Sequence, residues 1–187
     1  MIRWANKARR GFTLIELMIV VAIVGILSVL AIYGVRKYIA NAKTAEARNS
    51  IGQIAKDAAA AVEREKGSGA VIPAGQTSAI LRSFCGSASS VPAAVPQAAK
   101  YQSQASDWSS GDSSTGWACL KFTMDEPQYY QYSYTTTGTS SQSGAFVAQA
   151  NGDLDGNNTF STFSISGSSL NGVVGLSPTI FENLPEE

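Results

Sequence analysis

The chain has 187 residues, with 14 basic and 14 acidic side chains and no histidine. The balanced formal charge argues against a strongly basic nucleic-acid binder, so no specific nucleic-acid partner is expected. The absence of histidine excludes histidine acid–base chemistry, Ser–His–Asp and Cys–His triads and histidine metal sites. Two cysteines are too few for a four-thiolate zinc site.

The N-terminal part begins with a basic segment and continues with an apolar one. Residues 1–11 carry four basic side chains and no acid, and the 18 residues from Leu17 to Gly34 carry no formal charge. An apolar run of this length predicts a helix that spans a membrane. The flanking positive charges predict that residues 1–11 stay in the cytoplasm and that the rest of the chain is exported.

Three features separate this apolar run from a cleaved secretory signal. The run is longer than the roughly 7–15 apolar residues of a signal-peptide core. The small-residue triplet at 40–42 lies beyond two basic residues, inside a helical pattern. Glu16 lies at the edge of the run, where an unpaired carboxylate is costly and needs a partner. The pattern favours a membrane anchor that the mature protein keeps.

Residues 35–66 predict an amphipathic continuation of the same helix. Apolar residues recur there at the spacing of one helix face: Ile51, Ile54, Ala55, Ala58 and Val62. No proline occurs between residues 12 and 66, and Gly67 follows as a C-terminal cap. We therefore expect one uninterrupted helix over residues 12–66, with an apolar half at 12–34.

The remaining residues, 67–187, predict a head rich in serine, threonine and glycine, which together make up 45 of its 121 residues. Four runs of aromatic and β-branched residues predict an antiparallel meander: Ala118–Met124, Gln128–Thr137, Ala145–Ala150 and Thr159–Ser166. A long loop precedes them, with a short helix near Ser78–Phe84. The expected fold is α+β: the amphipathic half of the helix packs on the small sheet, and the apolar half protrudes.

The N-terminal motif resembles that of type IV prepilins. The resemblance rests on Arg-Arg-Gly-Phe-Thr-Leu-Ile-Glu-Leu at residues 9–17 and on the apolar run that follows. It implies that prepilin peptidase, a membrane enzyme, cuts between Gly11 and Phe12 and methylates the new amine of Phe12. Residues 1–11 would then be a cytoplasmic leader that is removed.

The resemblance also implies a structural function rather than an enzymatic one. The chain would wait in the inner membrane, and assembly machinery would then polymerise it with copies of itself into a helical surface filament. Residues Val20–Ile32 would form the filament core, and Glu16 would pair with the Phe12 amine of a neighbouring copy. The alternatives are a type II secretion pseudopilin or minor pilin, and a single-pass anchored binding or enzymatic domain.

One departure from the family pattern concerns the helix. Many family members have a proline where this chain has Tyr33, and that proline helps the helix to kink or unwind in the filament. We therefore expect any unwinding to lie between Gly25 and Gly34.

The head contains both cysteines, Cys85 and Cys119, which are 34 positions apart. Because the head is expected to be exported, where oxidation is favoured, a disulfide between them is predicted. It would tie the loop to the first strand of the meander. The alternative is two buried free thiols.

Residues 151–159 resemble the first half of a calcium loop, with oxygen-bearing side chains at alternate positions. The candidate ligands are Asn151, Asp153, Asp155 and Asn157. The acid expected six residues after Gly156 is replaced by Thr162, so the alternative is a hairpin turn. No other cofactor is expected.

Two further patterns have a structural and a functional interpretation. Tyr130, Tyr132 and Tyr134 alternate along one predicted strand, facing opposite to Tyr129. They are expected to cover the amphipathic helix as core, and the alternative is an aromatic binding surface. The adjacent acids at 125–126 precede Pro127 and predict a turn rather than a catalytic pair.

Overall fold

The computed structural model describes residues 11–65, 72–77 and 82–185. The chain divides into two compact units, one ending at Ile39 and the other beginning at Ala40. One long helix, α1, spans Leu14–Glu63 and so contributes to both. The predicted C-terminal cap at Gly67 lies outside the described residues, and so do residues 1–10.

The first unit contains the apolar part of α1. Every large apolar side chain from Leu14 to Ile39 is exposed, so this unit buries no core of its own. Within the described residues, α1 is the one helix long and apolar enough to cross a membrane. A helix that is apolar on all sides must be covered by lipid or by protein.

The second unit is built around an antiparallel sheet. Its strands are β1 (Ala88–Val91), β2 (Tyr101–Gln102), β3 (Pro127–Gln128), β4 (Gln131–Thr137), β5 (Ala145–Gly152), β6 (Ser161–Leu170), β7 (Val173–Leu176) and β8 (Phe181–Asn183). The order in the main sheet is β1-β4-β5-β6-β7, with β8 also paired to β6, and β2 and β3 form a separate pair. A 3-10 helix (Ala105–Trp108) and helix α2 (Gly116–Leu120) lie between β2 and β3 in the chain.

The core lies between the second half of α1 and one face of the main sheet. All five predicted core residues of α1 are buried: Ile51, Ile54, Ala55, Ala58 and Val62. They belong to one cluster with the inward side chains of the sheet, among them Tyr132, Phe146 and Phe163. The predicted α+β fold, a long helix packed on a small antiparallel sheet, is confirmed.

The first predicted strand, Ala118–Met124, is wrong. Its first residues belong to α2, which starts at Gly116 with a φ of 73° and ends where Lys121 adopts a φ of 62°. Trp117 and Leu120 are both buried. Their spacing of three residues puts both side chains on one face of a helical turn, whereas in a strand they would point to opposite faces.

The other three predicted strands are present as β4, β5 and β6. The prediction missed β1, β2, β7 and β8, which are short and carry no clear alternation. The predicted helix near Ser78–Phe84 lies largely outside the described residues. Ser83 forms an isolated bridge with Ser140 instead of belonging to a helix.

Candidate processing and assembly site

The start of α1 is held by a reciprocal pair of side chains. The Thr13 amide and the Thr13 hydroxyl both donate hydrogen bonds to Glu16 Oε2, each at 2.8 Å. In return, the Glu16 amide donates to the Thr13 hydroxyl at 3.3 Å. This is a capping box, which satisfies amide groups that have no partner within the helix. The Thr-x-x-Glu spacing of residues 13–16 is the sequence signal for a capping box, and it could have predicted this start of the helix.

Gly11 and Phe12 lie immediately before the capping box and outside any regular structure. A Cβ atom on Gly11 would meet no described atom within 4 Å, and Gly11 does not adopt a positive φ. The described part of the fold therefore does not require glycine at this position. Phe12 exposes 82% of its surface, and Gly11 is also exposed.

Glu16 is the only carboxylate between Phe12 and Gly34. Around and beyond it, the helix exposes large apolar side chains on every side. The hydrogen bonds to Glu16 come from neutral donors that orient the carboxylate, and no cation among the described residues pairs with it. When lipid or protein covers this surface, a cation near Glu16 is needed to offset the cost of burying that charge.

The model of the prokaryotic N-terminal methylation motif matches residues 6–32, which include all of these residues. The N-terminal segment is therefore similar to that of type IV pilins. The type IV major pilin protein PilA of Myxococcus xanthus is 54% identical over 46 residues. PilE1 of Neisseria gonorrhoeae, also a type IV major pilin protein, is 55% identical over 42 residues, and the major fimbrial protein FimA of Dichelobacter nodosus is 50% identical over 49.

These similarities cover a small part of each protein. They span 25%, 22% and 26% of this chain, and 21%, 26% and 31% of the pilins from Myxococcus, Neisseria and Dichelobacter, respectively. The chain thus spans about a fifth to a third of the length of these relatives. No solved structure matches the chain significantly.

In the head, Cys85 and Cys119 form the predicted disulfide, with Cα atoms 5.7 Å apart. Both cysteines are buried. The second cysteine lies in α2 and not in a strand, so the expectation that the bridge reaches the first strand of the meander is wrong. The bridge instead fixes α2 to the segment that precedes β1.

The candidate calcium loop is a compact turn closed by Asp153. The two carboxylate oxygens of Asp153 accept hydrogen bonds from the amides of Gly156, Asn157 and Asn158 at 2.6–3.2 Å. The other candidate oxygens also accept hydrogen bonds from nearby groups. The side-chain oxygen of Asn151 accepts from Gln149 and Thr162. The carboxylate of Asp155 accepts from Asn157, and the side-chain oxygen of Asn157 accepts from Thr159. No group of three or more acidic, cysteine or histidine side chains converges within the described residues. The arrangement favours the hairpin-turn interpretation, and calcium binding stays a prediction.

The two tyrosines of β4, and Tyr130 just before this strand, belong to the core. Tyr130, Tyr132 and Tyr134 are fully buried, which confirms the structural interpretation of their alternation. The acids at 125–126 lie in an exposed, irregular segment before β3, where the structure has a bend at Glu126 and no assigned turn.

The sequence analysis missed Glu46, which lies on α1 where the helix meets the sheet. Its Oε1 accepts the amide of Tyr129 at 2.9 Å and the hydroxyl of Tyr132 at 3.2 Å. Burial raises the pKa of Glu46, while these two donors and the charge of Lys100 act in the opposite direction. Nothing in the local sequence marks Glu46, because its partners are more than 80 residues away.

Proposed function

We propose that this chain is a structural subunit of a type IV pilus. The observation that carries the proposal is the first half of α1, which exposes apolar side chains on every side and has one carboxylate at its start. Lipid and a bundle of identical helices are two environments that cover such a surface. The same helix therefore serves as a membrane anchor before assembly and as part of a filament core afterwards.

Processing creates the group that assembly needs. Prepilin peptidase cuts between Gly11 and Phe12 on the cytoplasmic side of the inner membrane and removes residues 1–11. The new N-terminal amine of Phe12 is a cation, and its methylation preserves that charge. The exposure of Phe12 and the absence of any structural demand for Gly11 support cleavage here.

Assembly then pairs Glu16 of one copy with the Phe12 amine of the next. The capping box holds the carboxylate in place at the start of α1, where it awaits a cation. A mispositioned copy leaves a charge buried and unpaired, so the pair selects the axial register. The contact runs head to tail and propagates as an open helix, with residues Val20–Ile32 in the core.

The test is the N-terminus of the mature protein and the fate of two variants. The chain is expressed in a bacterium that has type IV pilus machinery but lacks its own major pilin. Mass spectrometry of sheared surface fibres should find a subunit that begins with methylated Phe12. Glu16→Ala should abolish fibres while leaving the chain in the inner membrane, whereas Glu63→Ala should leave both fibres and insertion unchanged.

Glu63 is a matched control because it is an exposed glutamate on the same helix. A subunit that begins after Ala42 would contradict the proposal, and so would fibres that form normally with Glu16→Ala. Correct processing combined with scarce incorporation into fibres would favour the alternative of a minor pilin or a type II secretion pseudopilin.

A further inference from the structure

The outward face of the main sheet carries no charge. The 25 residues of β4, β5 and β6 include no Asp, Glu, Lys or Arg, and neither does β7. The one charged residue of β8, Glu182, pairs with the buried Phe163 and belongs to the inward face. The solvated face of an antiparallel sheet is commonly polar, and here its polar side chains are uncharged although the head as a whole is acidic.

A groove of about 470 Å³ crosses this face where β5, β6 and β7 lie side by side. Its floor consists of small residues, because Ala145 lies opposite Ser168, which lies opposite Gly175. Val147, which lies opposite Ser166 on the same face, forms an apolar part of its wall. The volume falls within the range of roughly 300–1,000 Å³ that is typical of small-molecule sites.

The groove offers hydroxyl groups that the protein itself does not use. Thr137, Ser166 and Ser168 line it, and within the described residues their side chains make no hydrogen bond. Ser164 lies two residues before Ser166 on β6 and on the same face. Phe181 of β8 lies opposite Ser164 and exposes 64% of its surface. Hydroxyl groups, the aliphatic side chain of Val147 and an exposed aromatic ring thus share one face of the sheet.

We propose that this groove binds a neutral oligosaccharide. A sugar ring has hydroxyls at its edge and C–H groups on its faces. The hydroxyls match the serines and the threonine, and the C–H groups match Val147 and Phe181. A neutral sugar carries no charge that would need a counter-ion, and the groove supplies none. This proposal goes beyond the filament function and does not depend on it.

Two other occupants fit the observations less well. A peptide needs partners for its backbone N–H and C=O groups, but the central strands under the groove, β5 and β6, are paired on both sides. The face is too small for a stable contact with a second copy of the chain. Four strands of eight residues cover roughly 500 Å², from the usual spacing between strands and the usual rise per residue. A standard protein interface buries about 800 Å² on each partner.

The experiment measures sugar binding by the full-length chain. The protein is purified in a detergent without a sugar headgroup, because alkyl glycosides would compete for the groove. Calorimetric titrations use cellohexaose and chitohexaose as neutral probes and hexagalacturonate as an anionic probe of equal length. At least one neutral probe should bind, and hexagalacturonate should bind at least about tenfold more weakly.

Two arginine variants locate the site. Ser166→Arg places a long cationic side chain in the groove at an exposed position and should weaken the binding of the neutral probe at least about tenfold. Ser106→Arg, the same change at an exposed serine of the 3-10 helix, should leave binding unchanged. Thermal unfolding of both variants shows whether they are folded, and Val147→Lys replaces Ser166→Arg if that variant is not.

Three results would overturn the proposal. The first is that neither neutral probe binds, and the second is that binding survives in a folded groove variant, Ser166→Arg or its replacement Val147→Lys. The third is that the groove variants abolish self-association of the chain without changing sugar titrations, which would assign the face to a second copy. None of these results bears on processing at Gly11 or on the role of Glu16, so they leave the proposed filament function intact.

Discussion

Arg48 and Glu182 form an ion pair that joins α1 to the last strand of the sheet. Arg48 Nε donates to Glu182 Oε1 at 2.7 Å, and Arg48 Nη2 donates to Oε2 at 2.9 Å, although the residues are 134 positions apart. The bond from Arg48 lowers the pKa of Glu182, and the same bond raises the pKa of Arg48. The pair anchors the C-terminal strand to the helix.

Glu182→Gln should lower the free energy of unfolding by about 0.5–1 kcal/mol, because the pair is partly exposed to solvent. The folded pKa of Glu182 lies below its unfolded value. The contribution is therefore complete above the unfolded pKa and is lost as the pH falls through the folded one. Urea denaturation at several pH values measures this. Glu126→Gln, at an exposed acid, is the control, and equal effects of the two variants would contradict the prediction.

Glu46 should make the protein less stable as the pH rises. Its pKa is raised in the folded state, chiefly by burial, so the folded carboxyl group keeps its proton at pH values where the unfolded one has lost it. Its stabilising effect is therefore present below the unfolded pKa and is lost as the pH rises through the folded pKa. Lys43 and Lys100, both near the ring of Tyr129, are the cations on this side of the helix.

Glu46→Gln should therefore raise the free energy of unfolding at neutral pH. The glutamine oxygen can still accept the Tyr129 amide, so the variant removes the ionisation and keeps this hydrogen bond. The gain should disappear near pH 3, about one unit below the unfolded pKa, where the carboxyl group is protonated in both states of the wild type. Denaturation curves at the two pH values measure this gain, and an equal effect at both would show that Glu46 acts through packing.

Removal of the Cys85–Cys119 disulfide should cost about 3–4 kcal/mol, since the bridge closes a loop of 34 residues in the unfolded chain. The double variant Cys85→Ser/Cys119→Ser tests this by denaturant titration. Wild-type protein should lose a similar amount of stability when a reductant is added, and the reductant should leave the variant unchanged. A loss below 1 kcal/mol would mean that packing alone holds α2 in place.

The helix glycines should control assembly more than folding. A Cβ at Gly25 or Gly34 would meet no described atom within 4 Å, so alanine at either site should stabilise α1 by about 0.5–1 kcal/mol. Between them, the Ser28 hydroxyl donates to the Val24 carbonyl at 2.7 Å, a bond that often bends helices. If the helix unwinds there during assembly, the double alanine variant should insert in the membrane but form fewer fibres.

Gly52→Ala is the matched control, because it removes a glycine from the second half of the same helix and also meets no described atom. It should leave the number of fibres unchanged. Slow amide exchange throughout residues 25–34 in assembled fibres would contradict unwinding at this place.

Asp153→Ala should destabilise the head by about 2–3 kcal/mol, because three amides lose their acceptor.

Added calcium should leave the melting temperature of the wild type unchanged, since calcium needs six to eight oxygens and the oxygens of Asp153 already accept hydrogen bonds from these amides. Magnesium at the same concentration is the control. A rise specific to calcium would restore the calcium-loop interpretation.

The long helix and its two halves were predictable because they depend on local sequence. Uncharged apolar residues from Leu17 to Gly34, and then apolar residues at one helical face up to Val62, specify a helix without reference to any other part of the chain. The motif at Gly11, Phe12 and Glu16 is also local. Its residues are neighbours in sequence, so their spacing alone carries the signal.

In the head, packing and strand pairing override the local sequence pattern. The segment from Ala118 to Met124 has the aromatic and β-branched residues of a strand, but burial of Trp117 and Leu120 on one face makes its first part helical. The short strands β1, β7 and β8 acquire their structure from β4 and β6, with which they pair. Their own residues carry too weak a pattern to predict them.

Contacts between distant residues were decided by tertiary structure alone. The hydrogen bonds from Tyr129 and Tyr132 to Glu46, and the pairing of Arg48 with Glu182, join residues more than 80 positions apart. The groove over Ala145, Ser168 and Gly175 exists because the strand register brings three small residues together. Local sequence specified the long helix, because a single helix satisfies its own backbone, whereas the head's surface chemistry depends on which strands become neighbours.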